Sequence, residues 1–324
     1  MSAPTLLTYG PSNIDETLTL AWSHMIPGIR DNVFSENTAL GWFYSTGKES
    51  LKGGASISHG LMYGQNTGAK SYARYEMLNT TPTDGLTRDQ WAWKQYDVPV
   101  AIDGFTLRTA GGGSDQVLAD ALQTKKKQSE ESLKLLIEGD LFKASASIGT
   151  NDLRSLPVIV LDSGTEGQVN GTTNSWWTST VTSSGSWAAG VGRTKLVNTM
   201  NTLAKKAPIG MPNLLLSDQT SQEAYEGTTI SQYRFSNDKP DLGMDPKLTF
   251  KGVTWLWSPQ GTSGVIYILH SDAIQFYVDK NTDFLPTDFI TPTNQDAKVS
   301  HILLTAALTC SSRRKLGKTT SNAA

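Results

Sequence analysis

The sequence has few of the residues from which covalent cross-links and metal sites are built. Cys310 is the single cysteine among 324 residues, which excludes an internal disulfide and any site with several thiolate ligands. The four histidines lie far apart, and none has a second histidine or a cysteine at metal-ligand spacing. We also find no Gly-x-Ser-x-Gly elbow, Walker loop or dinucleotide-binding glycine pattern. We therefore expect no catalytic residue, no cofactor and no metal, and predict that the chain is not an enzyme.

Long apolar runs and a large net charge are also missing. No run approaches the roughly 18 apolar residues that cross a bilayer, and the N-terminus does not have the layout of a signal peptide. The net charge is −2, which argues against electrostatic binding of nucleic acid by the chain as a whole. Only 38% of the residues are hydrophobic, and glycine, serine, threonine and asparagine are abundant. This composition is typical of a β-rich protein with many turns.

Glycine and proline are absent between Ser114 and Glu138, where the longest helical pattern of the sequence begins. Ser114 is a favourable N-cap, and the apolar residues cluster at the two ends of the pattern. The centre, residues 123–132, contains no large apolar side chain. The pattern predicts a spine helix over 114–144, about 45 Å long at roughly 1.5 Å per residue. The alternative is two short helices joined by a polar loop at residues 125–127.

Two segments have apolar patterns but no core of their own. Residues 13–34 carry an amphipathic stripe that Pro27 should kink, which predicts a helix packing on another subunit or on its own. From Leu40 to Phe105 two weakly alternating segments flank a polar tip at residues 64–89. They predict a long two-stranded arm, which needs a partner surface because an isolated ribbon is marginal in water.

The rest of the sequence predicts a compact mixture of helices and strands. A short apolar run at residues 158–161 predicts a buried strand, and an amphipathic stripe predicts a helix over 193–206. Further predicted elements are a strand at 214–216, a helix capped by Ser217-Asp218 through Tyr225, strands at 248–250, 253–257, 265–269 and 274–278, and a strand pair over 301–316. The basic cluster Arg313, Arg314, Lys315 and Lys318 is interpreted as a solvated end.

Three motifs allow other interpretations. Asp162-Ser163-Gly164-Thr165 is the local pattern of an aspartic protease, but that chemistry needs a second carboxylate and hence a dimer here. Nine tryptophans, among them Trp176, Trp177 and Trp187, leave a carbohydrate-binding face open. A Lys–Asn cross-link between subunits could start from Lys48, Lys52 or Lys70, although no feature marks a partner.

The order of residues from Pro212 onward resembles that of tailed-phage major capsid proteins. The matching residues are Pro212–Ser217, Tyr225, Gln232–Phe235, Gly243, Leu248–Gly252, Pro259, Gly261 and Tyr267–Leu269, with Asn170-Gly171 and Trp176-Trp177 upstream. The helical N-terminus, the long arm, the glycine-bounded spine and the returning C-terminal strands complete a layout similar to the Hong Kong 97-type fold. Trp257 departs from the pattern, because relatives often carry an acidic residue there.

The resemblance implies an α+β fold with four parts. These are an N-terminal arm (1–47), an extended loop (48–100), a peripheral domain (101–150 and 286–324) that holds the spine helix 114–144, and a compact axial domain (151–285). The implied function is that of the major head protein of a bacteriophage, a self-assembling structural protein. Copies of it form hexamers and pentamers of an icosahedral shell around double-stranded DNA. A carbohydrate-binding tail, spike or lectin-like module is the alternative.

The resemblance also implies partners and a location. The partners are other copies of the chain, a portal, decoration proteins, and packaged double-stranded DNA that is bound non-specifically; no membrane is involved. The location is the virion capsid, assembled in the host cytoplasm. Because residues 1–12 are neither charge-rich nor periodic, we expect no fused scaffolding segment at the N-terminus and a separate scaffolding protein instead.

Overall fold

The structure is a computed structural model that describes residues 37–105, 115–183, 185, 187, 190–206, 210–230 and 249–320. The helices are α1 (Thr38–Trp42), α2 (Asp115–Phe142), α3 (Leu156–Ile159), α4 (Val191–Lys206) and α5 (Gln219–Ile230). The strands are β1 (Lys48–Leu51), β2 (Gly60–Met62), β3 (Leu86–Arg88), β4 (Lys94–Asp103), β5 (Thr165–Glu166), β6 (Val169–Asn170), β7 (Thr180–Ser183), β8 (Leu214–Ser217), β9 (Thr249–Phe250), β10 (Val253–Trp257), β11 (Ile266–Leu269), β12 (Ile274–Asp279), β13 (Leu285–Pro286), β14 (Ala297–Cys310) and β15 (Gly317–Thr320). This mixture confirms the predicted α+β class.

The chain divides into two compact units. Of the described residues, the first unit holds 96–105, 115–133 and 284–304, and the second holds the others. In the first unit, β13 pairs antiparallel with β14, with Leu285 opposite Leu303. In the second unit, β12 pairs antiparallel with residues 306–310 of β14 and parallel with β1. The predicted division into N-terminal arm, extended loop, peripheral domain and axial domain stays a prediction.

The second unit is built around a mixed sheet with the strand order β7-β15-β11-β8-β10-β9. Strands β8 and β11 are buried at every position, as expected for apolar central strands. Helix α4 buries Leu196, Met200 and Leu203 in the same core as Trp187, Tyr225 and Trp255. The rings of Tyr225 and Trp255 stack with centroids 4.9 Å apart. Aromatic burial of this kind dominates the energetics of a core.

Helix α2 is continuous from Asp115 to Phe142, so the predicted spine helix is present. The alternative of two helices with a loop at residues 125–127 is wrong, because that segment contains no helix breaker and Lys126 lies 3.8 Å from Glu130 one turn later. Within the second unit, Ile137 and Leu141 are fully buried. Leu136 remains half exposed, so one of the apolar residues at this end of the helix faces outward.

A buried carboxylate on α2 ties three segments of the second unit together. Glu138 is fully buried and accepts hydrogen bonds from the backbone N–H groups of Ala39 at 3.1 Å and Leu40 at 2.7 Å. The Ser258 hydroxyl donates to the same side chain at 2.6 Å. Burial raises the pKa of Glu138, and the hydrogen bonds from Ser258, Leu40 and Ala39 lower it. The carboxylate thus supplies acceptors to N–H groups at the start of α1 that have no partner within the helix.

A buried arginine ties the C-terminal segment to two loops. Arg313 is fully buried, and its guanidinium uses all five of its N–H donors on backbone carbonyls. The acceptors are the carbonyls of Ile159 (2.9 Å), Leu161 (2.9 Å), Ser163 (3.0 Å), Gly164 (3.3 Å) and Trp177 (3.3 Å). The interpretation of this residue as part of a solvated basic end is wrong, because its side chain is buried and donates to the carbonyls of the surrounding loops.

Two further predictions are corrected by the structure. The predicted strand at 158–161 is wrong: Pro157 stands in the first turn of the short helix α3, where its fixed φ and missing N–H favour helix. The predicted strand pair over 301–316 is wrong as well. That region is the second part of the long strand β14, followed by a 3₁₀ turn at Arg313–Lys315 and then by β15. Strand β15 lies in the other sheet, between β7 and β11.

Most remaining elements agree with the sequence, and a few lie outside the described residues. Helix α4 and strands β8, β10, β11 and β12 begin and end within two residues of their predicted bounds. The predicted strand at 248–250 is present as β9, and the helix predicted after Asp218 extends to Ile230. The predicted helix at 13–34 and the matching residues Gln232–Phe235 and Gly243 lie outside the described part of the chain.

Replacing Arg313 by methionine should strongly destabilise the protein. The substitution removes all five hydrogen bonds, of which those to the carbonyls of Ile159 and Trp177 are buried, and each unsatisfied buried group costs about 1–3 kcal/mol. We expect the free energy of unfolding in urea to fall by more than about 3 kcal/mol. The control is Arg314→Met at the exposed neighbouring position, which should change it by less than about 0.5 kcal/mol. Equal stabilities of the two variants would contradict the role of Arg313.

Replacing Ser258 by alanine should destabilise the protein in a pH-dependent way. The ionised form of Glu138 loses a hydrogen bond worth about 1.5–3 kcal/mol. Because the lost donor favours the ionised form, the pKa of Glu138 in the folded variant rises further above its unfolded value. The stability deficit should therefore shrink as the pH falls and Glu138 becomes protonated.

Urea titrations of Ser258→Ala at neutral and at acid pH measure this dependence. Ser263→Ala is the matched control, because it makes the same chemical change at an exposed position of the same loop. A deficit that is constant with pH, or equal in both variants, would show that the hydroxyl acts independently of the carboxylate.

Candidate assembly surfaces

The segment between β1 and β4 forms an arm of the second unit. Its paired part is short: β2 and β3 pair antiparallel from Gly60–Arg88 to Met62–Leu86, and an isolated bridge joins Ile57 to Trp91. The flanking strands pair elsewhere, β1 with β12 and β4 with β14. The sequence predicts a longer two-stranded ribbon. The paired part is shorter because the residues on both sides of it, in β1 and β4, pair with β12 and β14 instead of with each other.

The foot of the arm is fixed by one buried carboxylate. Asp89 is fully buried and accepts hydrogen bonds from the backbone N–H of His59 at 2.5 Å and from the Trp91 indole at 2.8 Å. The Nδ1 atom of His59 lies 2.9 Å from the same carboxylate. The backbone N–H of Gln90 donates to the carbonyl of Gly167 at 3.0 Å. The bonds of Asp89 join the two strands of the ribbon, and the bond from Gln90 attaches the ribbon to the β5–β6 hairpin.

A cleft of about 440 Å³ lies beside this foot. Its lining includes Lys94, Arg154, Glu166 and Gln168. Glu166 is buried, and its carboxylate lies 3.3 Å from the Arg154 guanidinium. Burial raises the pKa of Glu166, while the charges of Arg154 and Arg313 lower it. The cleft therefore presents both signs of charge where the arm joins the rest of the unit.

The outer part of the arm exposes many apolar side chains. Between Met62 and Leu86 the backbone has no regular structure, and local contacts such as the Lys70–Glu76 ion pair organise it. The exposed apolar residues, with the exposed fraction of each, are Met62 (79%), Tyr72 (67%), Tyr75 (94%), Met77 (89%), Leu78 (62%) and Leu86 (70%). Exposed apolar side chains that are concentrated on one segment are typical of an interaction site.

The first unit has an exposed apolar group of its own. Leu285, Phe289 and Ile290 follow one another along the segment that pairs with β14, and each is at least 41% exposed. Phe105 is 66% exposed in the same unit. Such residues are typical of a surface that is covered in an assembly. Neither this group nor the exposed apolar residues of the arm are marked as a site by the sequence, in which residues 64–89 appear only as a polar tip. The sequence does not show which apolar side chains are buried and which are exposed.

The other sequence motifs have structural roles. Trp177, Trp187 and Trp255 are fully buried core residues, so the carbohydrate-binding alternative is not supported. The Ser163 and Gly164 carbonyls of the protease-like motif accept hydrogen bonds from Arg313. Of the three lysines considered for cross-linking, Lys48 pairs with Asp283, Lys70 pairs with Glu76, and Lys52 is exposed.

The remaining chemistry of the described residues is limited. Cys310 is fully buried, and burial raises the pKa of its thiol to about 12, so the thiol stays protonated at neutral pH. Within the described ranges, no group of three or more His, Cys, Asp or Glu side chains is placed to hold a metal ion. None of the helices in that part of the chain is apolar over a stretch long enough to span a membrane.

Three buried charged residues connect segments of the second unit: Asp89, Glu138 and Arg313. The sequence does not mark Asp89 or Glu138 as buried. A charged residue beside apolar neighbours is the signal that could find them: Asp89 and Trp91 lie two positions apart, and Glu138 follows Ile137 on the buried side of α2. That signal is weak, because most charged residues in such positions turn outward.

Comparisons with known proteins give matches only at the level of structure. No family model and no curated protein matches the sequence. The capsid of cyanophage A-1(L) is similar to this chain with a TM-score of 0.64 at 12% identity, covering 94% of this chain and 97% of that one. The capsid of an empty GTA particle matches with a TM-score of 0.60 at 9% identity, covering 91% and 100%. A chain of Mycobacterium phage Bobi matches with a TM-score of 0.55 at 12% identity, covering 94% and 97%.

These matches extend over almost the whole of both chains, although the sequences have diverged to about one residue in ten. They confirm the fold that the sequence resemblance predicted. The chain has the Hong Kong 97-type fold of phage capsid proteins.

Proposed function

We propose that this chain is a major capsid protein that assembles as hexamers and pentamers into an icosahedral shell enclosing double-stranded phage DNA. The observation that carries this proposal is the arm: its paired part is three residues long, and its outer part exposes apolar side chains. A second copy of the chain is the natural cover for such a surface, because a closed shell supplies one neighbour to every arm. The likeness in fold to capsid chains supports the same conclusion.

The parts of the chain have distinct roles in this proposal. Residues 151–285 form the axial domain near the centre of each capsomer, and residues 101–150 with 286–324 form the peripheral domain. The extended loop at 48–100 lies over a neighbouring subunit. The exposed apolar groups at the arm tip and around Ile290 become buried between subunits, which supports burial of apolar area as the driving force of assembly.

The proposal includes partners and a place of action. The subunit acts as a structural protein, not an enzyme, in the virion capsid, and assembles in the host cytoplasm. Its further partners are a separate scaffolding protein, a portal protein and decoration proteins, and it encloses DNA without sequence preference. Electron microscopy of the expressed chain, alone and with a scaffolding partner, tests the proposal; a product that stays monomeric under both conditions would contradict it.

Replacing Met77 and Leu78 by serine should prevent shell formation without unfolding the subunit. Both side chains are exposed in the single subunit, so their loss should change its free energy of unfolding by less than about 0.5 kcal/mol. In the shell each side chain would be buried, and full burial of one such residue is worth about 1.5–3 kcal/mol. The variant loses this burial free energy at every copy in the shell.

The double variant Thr81→Ser and Thr83→Ser is the matched control, because it alters two exposed polar residues of the same tip. Circular dichroism measures the folded state, and electron microscopy counts closed particles. The role of the tip is rejected if the Met77 and Leu78 variant forms as many shells as the control.

A further inference from the structure

The solvent-facing side of α4 is polar and positively charged. Its exposed residues recur at helical spacing in one stripe: Thr194, Asn198, Asn201 and Lys205, with Lys195 beside them. The helix contains Arg193, Lys195, Lys205 and Lys206 but no aspartate or glutamate. The opposite side buries leucine and methionine in the core, so the orientation of the stripe is fixed by packing.

Residues outside the helix add to the same charge. The Lys251 ammonium group donates a hydrogen bond to the Asn201 side chain at 2.8 Å, which places a further positive charge on the stripe. At the end of α4, burial and the nearby charge of Arg314 both lower the pKa of Lys206, so two cations lie close together there. Among the described residues, Lys195, Lys205 and Lys251 form no ion pair with a carboxylate, whereas Lys126 on α2 pairs with Glu130.

The composition of the stripe favours phosphate over a protein partner. The cores of protein interfaces are apolar and depleted in lysine, whereas the exposed positions of the stripe from Thr194 to Lys205 are all polar; the exposed apolar side chain of α4 is Val191, at the first position of the helix. Lysine, threonine and asparagine side chains are instead common donors to the phosphate oxygens of nucleic acid. From Thr194 to Lys205 the stripe spans about 16 Å at roughly 1.5 Å per residue, a length over which duplex DNA presents several phosphates.

We propose that the exposed face of α4, together with Lys251, binds the phosphate backbone of duplex DNA without reading its bases. The inference deepens the proposed function, on which its biological meaning rests, by naming the surface that contacts packaged DNA. It also refines the expectation from net charge: the chain is close to neutral as a whole, but this helix carries four cationic residues and no carboxylate.

The test measures binding of a fluorescent duplex oligonucleotide to the purified full-length chain over a range of salt concentrations. The variant is Lys195→Gln with Lys205→Gln, because glutamine has a helix propensity similar to that of lysine. Each phosphate contact contributes about 0.9 to the slope of log K against log salt, so we expect the slope to become shallower by about 1.8. The control, Lys280→Gln with Lys298→Gln, removes the same charge from exposed positions elsewhere and should leave the slope unchanged.

Three results would overturn the proposal: no measurable binding of the duplex by the unmodified chain, equal slopes for both double variants, or binding of polyglutamate as tight as that of the duplex. The last result would indicate an acidic protein partner instead. Failure of the proposed function is distinguishable, because binding is measured on the subunit. A chain that shows the expected change in slope but forms no shells would keep its DNA-binding face and lose its function as a capsid protein.

Discussion

The second unit depends on the buried carboxylate of Glu138, because that group connects segments that are distant in sequence. It sits on the spine helix, accepts from the first N–H groups of α1, and receives the hydroxyl of Ser258 next to the central sheet. Helix α1 leads through a π-helical turn to β1, after which the arm begins. The Glu138 carboxylate therefore fixes the position at which the arm begins. Burying a carboxylate costs free energy, but its charge-assisted hydrogen bonds are stronger than neutral ones.

The arm is attached by hydrogen bonds at its foot and exposes apolar side chains at its tip. Asp89 holds both chains of the ribbon at the foot, while Tyr75 and Met77 at the tip remain almost fully exposed. The apolar side chains of the tip are thus exposed on an element whose foot is fixed by hydrogen bonds. The basic face of α4 is a different kind of surface, because its exposed positions from Thr194 to Lys205 carry lysine, threonine and asparagine. The exposed apolar side chains of the tip and the basic face of α4 thus lie on different elements of the second unit.

Much of the fold follows from the sequence, because periodicity and breakers act locally. The spine helix is continuous since nothing from Asp115 to Glu138 interrupts it, and strand β8 follows from its three leucines. Long-range partners are not visible in the same way. The run at 158–161 has the composition of a strand, but Pro157 and the carbonyl-binding Arg313 favour a helical turn there. Likewise, the apolar residues at the tip of the arm are of the same types as core residues, and only the structure shows that they are exposed.

The hydrogen bonds of Arg313 constrain the backbone of the neighbouring loops more than the amino-acid types in them. Its acceptors are main-chain carbonyls, which every amino acid carries, so the side chains at positions such as Leu161 and Ser163 are not needed for the bonds. Substitutions in these loops can accumulate as long as the backbone path and one guanidinium persist. An architecture held by backbone acceptors in this way can survive divergence to about one identical residue in ten, which is the divergence between this chain and the capsid chains that share its fold.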